Sequence, residues 1–217
     1  MKKSFLSKIG LLTLVGSVIF ASCSPIMEEP MQLQNPTEVT SEVLSPNEDI
    51  NARKKVAVER NYFEHFSNQL IQVDENGIFT QNIPAYFPGT GEGNSTHMGK
   101  ALTFLNQFAF VSENGLNTVG APVTQFYASE LAEIGLTDIP DEVSSITTDG
   151  NGNSVWFKNI ENIVTPISED RSVFIAKVEI IGGTGKFENA AGDGIVEGSF
   201  NPNTGEGENT IKGKIVY

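Results

Sequence analysis

Three kinds of hydrophobic and polar patterning follow one another along the chain. A short basic start, Met1-Lys2-Lys3, leads into an apolar run from Ile9 to Phe20. Residues 24–52 have no hydrophobic period, whereas from Lys54 onward short apolar alternations are separated by turn residues. An apolar residue at every second position is typical of a β-strand with one buried face. The pattern therefore predicts a leader, an irregular segment and a β-rich region.

Within the β-rich region, the longest strand-like run extends from Ser95 to Val111, and we expect its mainly apolar even positions to form one face. Two further alternations lie near the end of the chain. The apolar positions of the three runs are Met98, Leu102, Phe104, Phe108 and Phe110; Phe174, Ala176, Val178 and Ile180; and Ile211, Ile215 and Tyr217. We count seven to nine such strands, and only Tyr127 to Leu136 predicts a short helix.

Three polar, Gly-containing segments predict turns: residues 74–77, 149–153 and 201–205. Asx-Gly sequences between alternating runs are typical of β-hairpins. Short strands with frequent turns favour one closed antiparallel barrel, because closure leaves no exposed sheet edge. The fold class predicted is all-β, in one domain over residues 53–217.

The lone cysteine, Cys23, follows the apolar run directly. Small residues before it suit a signal peptidase, and Phe20-Ala21-Ser22-Cys23 resembles the lipobox of a bacterial lipoprotein. The resemblance implies a signal peptide over 1–22, acyl chains such as palmitate on Cys23, and a lipid anchor in a membrane of the bacterial cell envelope. The alternatives are an ordinary secretory signal and a retained anchor, although a dozen apolar residues fall short of the roughly 20 that span a bilayer.

The composition of residues 23–52 predicts a disordered tether. The segment contains four prolines and six acidic residues, with no basic residue before Arg53. Without an apolar period it cannot bury enough surface to offset the entropy of ordering. We expect it to space the barrel away from the membrane.

The charge balance excludes one class of partner. The chain has 14 basic and 27 acidic residues, and loss of residues 1–22 would remove three lysines and no acid. Nucleic acids are held by Lys and Arg, so we expect no nucleic-acid partner. With Cys23 acylated, no thiol is left for a disulfide, a zinc site or a nucleophile.

The segment from Ile180 to Gly192 resembles the GGTGxFxxAxG signature of the allene oxide cyclase and dirigent barrels. Its signature residues are Gly182, Gly183, Thr184, Gly185, Phe187, Ala190 and Gly192. Residues 93–100 and 211–217 are also similar to bacterial proteins with that barrel. The resemblance covers roughly residues 55–217 and implies an eight-stranded antiparallel barrel with an apolar interior that opens at one end.

The residue types of the signature favour a role in the backbone geometry and packing of the barrel. Its glycines permit positive φ where a strand turns sharply, and Phe187 can plug the barrel beneath that corner. Dirigent proteins have Arg before the last Gly and Tyr after it, where this chain has Ala191 and Asp193. That departure argues against dirigent-type control of radical coupling. No cyclase catalytic residues match, so none is assigned.

Motifs for cofactors and metals fail on spacing. The glycines around Lys186 lack the Gly and the Ser or Thr of a phosphate loop. The run from Asp149 to Asn153 starts like a calcium loop, but Ser154 and Ile160 occupy the places of the required Gly and Glu. We therefore expect no cofactor and no metal.

Polar side chains that could line the interior are the remaining candidates. His97 and the strand-borne carboxylates Glu59, Glu64, Glu179 and Glu197 could each face inward, and His97, Glu179 and Glu197 are the candidates we single out. A carboxyl group inside an apolar barrel would have a raised pKa and could serve as a general acid or base.

Three functions fit these features. The first is a non-enzymatic, membrane-tethered barrel that binds a small apolar ligand or has a structural role in the envelope. The second is an isomerase or cyclase acting on an oxidised, lipid-like substrate. The third is a protein-interaction module whose barrel interior is fully packed. The content of the barrel interior distinguishes them.

Overall fold

A computed structural model describes residues 57–113 and 115–217. The predicted signal peptide, the lipidation site Cys23 and the predicted tether all lie outside the described residues. The described part is built from strands, one α-helix and one 3-10 turn.

The elements follow one another in this order: β1 (Glu59–Leu70), β2 (Ala85–Tyr86), β3 (Gly89–Ser95), β4 (Gly99–Leu105), β5 (Gln107–Ser112), β6 (Gly115–Gly120), α1 (Thr124–Glu133), β7 (Ser145–Thr148), β8 (Ser154–Ser168), β9 (Arg171–Thr184), the 3-10 turn (Gly185–Phe187), β10 (Ala191–Phe200) and β11 (Glu206–Val216). Helix α1 begins and ends three residues before the predicted helix.

The sheet closes on itself. Antiparallel pairing runs β8-β7-β4-β3-β1-β11-β10-β9, and β9 pairs back with β8, which makes an eight-stranded antiparallel barrel. The short strands β2, β5 and β6 extend this ring, because β2 precedes β3, β5 continues β4, and β6 lies on the same edge of β8 as β7. The predicted fold class is thus confirmed.

Two of the predicted turns join paired strands. Residues 149–153 connect β7 with β8, and residues 201–205 connect β10 with β11. The third, at 74–77, lies in the long connection between β1 and β2, where Asp74 N donates to Ile78 O over 2.9 Å.

The prediction for residues 95–111 is wrong in detail. A turn at 96–98 and a break at Asn106 divide this run, so it contributes two strands. The inward, buried positions are Ala101, Thr103 and Ala109, whereas Leu102 is 40% exposed. Phe104 points outward and packs against the cluster beneath α1, so a second apolar surface on the outside of the barrel produced the misleading pattern.

The barrel core comes from the alternations predicted near the end of the chain. Ala176, Val178 and Ile180 on β9 and Ile211 and Ile215 on β11 are all buried. Outside the barrel, α1 packs through Leu131, which is fully buried with residues of the flanking loops and β7.

Apolar side chains fill one end of the barrel. Phe187 follows the β9 strand and is fully buried, and its ring centroid lies 4.7 Å from that of Tyr217. Ala190 and Ile215 are buried in the same cluster. We call this the closed end, and the end where β10 turns into β11 the open end.

Candidate functional site

The open half of the barrel contains a cavity of about 100 Å³. Its walls are mainly apolar and include Leu70, Leu105, Ala109, Leu116, Phe157, Val164, Phe174, Ala176, Val178, Val196 and Ile211. Phe87 and Phe200 also line it, and both also line a surface groove of about 260 Å³ together with Leu70. These three side chains therefore stand between the cavity and the groove.

Side-chain amides bring polarity into this apolar cavity. Gln107 Oε1 accepts hydrogen bonds from Asn162 Nδ2 at 2.7 Å and from Thr118 Oγ1 at 2.8 Å. These three residues come from β5, β8 and β6, and all of them line the cavity. The network fixes the side chain of Asn162, which is only 5% exposed.

Three amide oxygens of the cavity wall have no hydrogen-bond partner. Among the described residues, the buried side-chain oxygens without a partner include Oδ1 of Asn68, Asn159 and Asn162. Asn68 uses its Nδ2 group to donate to Asn209 Oδ1 at 3.0 Å. Unsatisfied buried acceptors are rare in folded proteins because each one is destabilising, so this wall is the candidate site of the barrel.

Irregular pairing in β8 explains why two of these amides face the same cavity. The pairing of β8 with β9 shifts between Asn159 and Glu161. Before this bulge the inward-facing residues have odd numbers, such as Val155 and Phe157. After it they have even numbers, such as Asn162. A bulge inserts one extra residue, so Asn159 and Asn162 both point inward although their numbers differ in parity.

A second polar group lies deeper in the barrel. Glu64 on β1 is 1% exposed and accepts hydrogen bonds from the Tyr62 hydroxyl through Oε1 and from Thr147 Oγ1 through Oε2, the latter at 3.1 Å. Ser95 Oγ donates to the Tyr62 hydroxyl at 3.2 Å. All four side chains are buried, so each polar group is satisfied by another member of the cluster.

Burial raises the pKa of Glu64 to about 7, although the hydrogen bonds from Tyr62, Thr147 and Ser95 partly lower it. Burial, together with the neighbouring Glu64 charge, also raises the pKa of Tyr62 well above its usual value. A carboxyl with a pKa near neutrality can exchange a proton. Glu64 is nevertheless not among the residues that line the cavity.

The prediction that His97, Glu179 and Glu197 line the barrel interior is wrong, because all three side chains are exposed. Glu179 and Glu197 are exposed, because inward positions on β9 and β10 are the even ones. Glu197 forms an ion pair with Lys212 at 3.7 Å on the outer surface. His97 is exposed in the turn between β3 and β4, where its φ is 69° and its Nε2 lies 3.1 Å from Asn61 O. Of the four carboxylates considered, Glu64 is the inward one.

The signature residues form the corner at the closed end. Gly185 has φ +60°, and a Cβ on Gly183 would lie 2.1 Å from Ser154 O. Gly182 has φ +155°, and a Cβ on Gly192 would lie 2.0 Å from Lys214 O. Thr184 Oγ1 donates to Gly152 O at 2.9 Å, and Ala190 packs in the core. None of these residues lines the cavity.

The polar groups of the loop at residues 149–153 form hydrogen bonds with one another. Asp149 Oδ1 accepts from the backbone N–H groups of Asn151 and Asn153, and its Oδ2 accepts from Asn153 Nδ2 at 2.7 Å. Within the described residues, no group of three or more His, Cys, Asp or Glu side chains is placed to hold a metal ion. In the same part of the chain, no helix is long and apolar enough to cross a membrane.

The patterns in the sequence did not identify the amides Asn68, Gln107, Asn159 and Asn162. One signal could have found Asn68, since Tyr62, Glu64, Phe66 and Asn68 alternate along β1 and share its inward face. The amides of β8 gave no such signal, because the bulge changes the parity of the inward positions.

Comparison with known proteins adds one structural likeness. No protein-family profile matches the chain, and no curated protein matches it. The chain is similar to the solved structure of a pterocarpan synthase dirigent protein, GePTS1, with 13% identity and a TM-score of 0.42, over 73% of this chain and 86% of that one. A likeness this loose carries no statement about function, and the fold rests on the strand pairing itself. By that pairing, the described part of the chain forms an eight-stranded antiparallel barrel, packed at one end and hollow at the other.

Proposed function

We propose that this protein binds a small, mainly apolar ligand in the open half of its barrel, without transforming it. We further propose that Cys23 anchors it by a lipid to a membrane of the bacterial cell envelope. The cavity between β1 and β8 is the observation that carries the binding proposal. The anchor is supported by the sequence around Cys23.

The size of the cavity favours a compact ligand. A single water molecule needs a cavity of roughly 10–15 Å³. The cavity of about 100 Å³ therefore accommodates a group larger than one water molecule. Drug-sized ligands occupy pockets of roughly 300–1,000 Å³. A ring or short chain therefore fits inside, and a longer ligand would extend past Phe87 and Phe200 into the groove.

The two alternative functions have less support. An interaction module with a packed barrel would leave no cavity, whereas the open half contains one. An isomerase or cyclase would need a proton-transferring group at the wall of its substrate site. Glu64 has a suitable pKa, but it is held by Tyr62 and Thr147 outside the cavity wall.

A cavity-filling variant tests the binding proposal. We expect toluene or phenol to raise the melting temperature of residues 23–217 carrying Cys23→Ala, since a ligand that binds the folded state stabilises it. Ala176→Leu, at a buried wall position, should abolish this rise because the new side chain occupies the cavity. The matched control is Ile175→Leu on the outer face of the same strand, where residue 175 is 58% exposed.

The expected result is a rise for the parent chain and the control, and none for Ala176→Leu. If neither probe raises the melting temperature of the parent, or if Ala176→Leu responds like the control, the proposed function is wrong.

A further inference from the structure

The unpartnered oxygens of the cavity specify what a ligand must offer. Asn162 is the most constrained of them, because its Nδ2 group is already bonded to Gln107 Oε1 and its side chain is nearly completely buried. Asn162 lines the cavity, and its Oδ1 is a buried acceptor for which the described residues offer no donor. A ligand that carries an O–H or N–H group would satisfy it.

Acceptors of this kind lie on two opposite walls. Asn68 belongs to β1 and Asn162 to β8, and these strands are four places apart in the ring of eight. Asn68 also lines the cavity; its Nδ2 group is occupied by Asn209 Oδ1, and its Oδ1 is buried without a partner among the described residues. Donor groups of one compact ligand can therefore be satisfied at either side of the cavity.

The charges around the cavity favour a neutral ligand. Among the described residues that line it, Glu208 alone is charged, and Glu208 is exposed. No Lys, Arg or His in this lining could receive a carboxylate, and no buried carboxylate of the lining could hold an ammonium group. Burying an ion without a partner is strongly unfavourable. The net charge of −13 further disfavours anions.

We propose that the ligand is a neutral, mainly apolar compound that donates a hydrogen bond to the amide oxygens of the cavity, with Asn162 as the specificity-determining residue. This inference rests on the proposed function of the cavity. It excludes fatty-acid-like carboxylates, hydrocarbons without a donor, and organic cations as the preferred ligands.

Four probes of similar size test it on residues 23–217 carrying Cys23→Ala. Phenol has a neutral donor, toluene has none, benzoate is an anion and benzylamine is a cation at neutral pH. We expect phenol to bind about tenfold more tightly than toluene, because a site built around a hydrogen bond rejects the analogue that lacks it, and more tightly than either ion. Dissociation constants from titration calorimetry and NMR would measure this order.

A variant assigns the preference to one residue. Asn162→Leu removes the acceptor and leaves Gln107 Oε1 bonded to Thr118, so the preference for phenol over toluene should fall about tenfold. Ile163→Leu, on the outer face of β8 and 53% exposed at the parent residue, is the matched control and should keep the preference. In the parent chain, the side-chain amide NMR signal of Asn162 should shift with phenol more than with toluene, a readout that does not require the variant to fold.

The outcomes separate the two proposals. Equal binding of phenol and toluene, tighter binding of benzoate or benzylamine, or an unchanged preference in Asn162→Leu would each overturn the inference while the binding function stands. If no probe binds, the proposed function itself fails.

Discussion

At the residue scale, the inward side chains of β1 show how one strand serves both stability and binding. Tyr62 and Glu64 form a satisfied polar cluster deep in the barrel, Phe66 is fully buried, and Asn68 reaches the cavity with an unpartnered oxygen. The contrast is physical: a buried polar group with partners fixes the local packing, whereas one without a partner destabilises the fold until a donor reaches it.

The pKa of Glu64 predicts a specific pH dependence of stability. Its value of about 7 in the folded chain is above the ordinary 4.5, so between these pH values the folded state holds a proton that the unfolded state releases. The contribution of Glu64 is therefore fully present below about pH 4.5 and is lost as the pH rises through about 7. Linkage puts the loss at roughly 3 kcal/mol.

Glu64→Gln removes this titration and tests the prediction. The unfolding free energy of the wild type minus that of Glu64→Gln, from urea melts, should fall by about 3 kcal/mol between pH 4.5 and pH 8. Glu197→Gln, which removes an exposed carboxylate from the outer surface, is the control for the loss of one carboxylate. A difference for Glu64→Gln that is flat across this range contradicts the buried carboxyl.

At the element scale, the corner between β9 and β10 serves the packing of the barrel, and the bulge in β8 shapes the candidate site. The corner places Phe187 in the closed end, and Gly183 passes so close to Ser154 O that a Cβ would clash with the backbone. The bulge in β8 turns two amides toward the open end. Scaffold and candidate site are therefore carried by different elements.

This division predicts that stability and binding can be changed separately. Phe187→Ala should destabilise the fold by about 3–5 kcal/mol, since it empties a fully buried site, and should leave the affinity for phenol nearly unchanged. Phe200→Ala, at the cavity wall and only partly buried, should weaken phenol binding and destabilise the fold less. Denaturant melts and calorimetric titrations of both variants would check this. A loss of binding in Phe187→Ala at a temperature where it is folded would contradict the separation.

At the scale of the whole molecule, the barrel has a closed end with its Phe187 plug and an open end with its cavity. The chain carries a strong negative charge. If Cys23 bears the lipid, residues 23–52 connect the membrane to a barrel that would be repelled by anionic head groups.

Cys23→Ala tests the anchor. We expect the variant to leave the membrane fraction or to accumulate with residues 1–22 still attached, because in the proposed anchor the thiol is the attachment point of the lipid. Fractionation followed by mass spectrometry of the intact chain would measure both outcomes, with Ser24→Ala as the matched control. An unmodified Cys23 in the mature wild-type protein rules the anchor out.

The sequence by itself determined the fold class, because alternation at Ala176, Val178 and Ile180, the hairpin turns at 149–153 and 201–205, and Phe187 after its glycines are local features with local causes. It also gave four carboxylates as candidates for an inward position, and Glu64 is the one of the four that faces inward. Tertiary structure alone decided which positions face inward. The outer surface beneath α1 partly buries Phe104, so the expected face of β4 is inverted. The bulge in β8 makes the inward positions odd-numbered before it and even-numbered after it, so that both Asn159 and Asn162 face inward. The cavity exists because strands far apart in the sequence close into a ring, and no window of the sequence contains that closure.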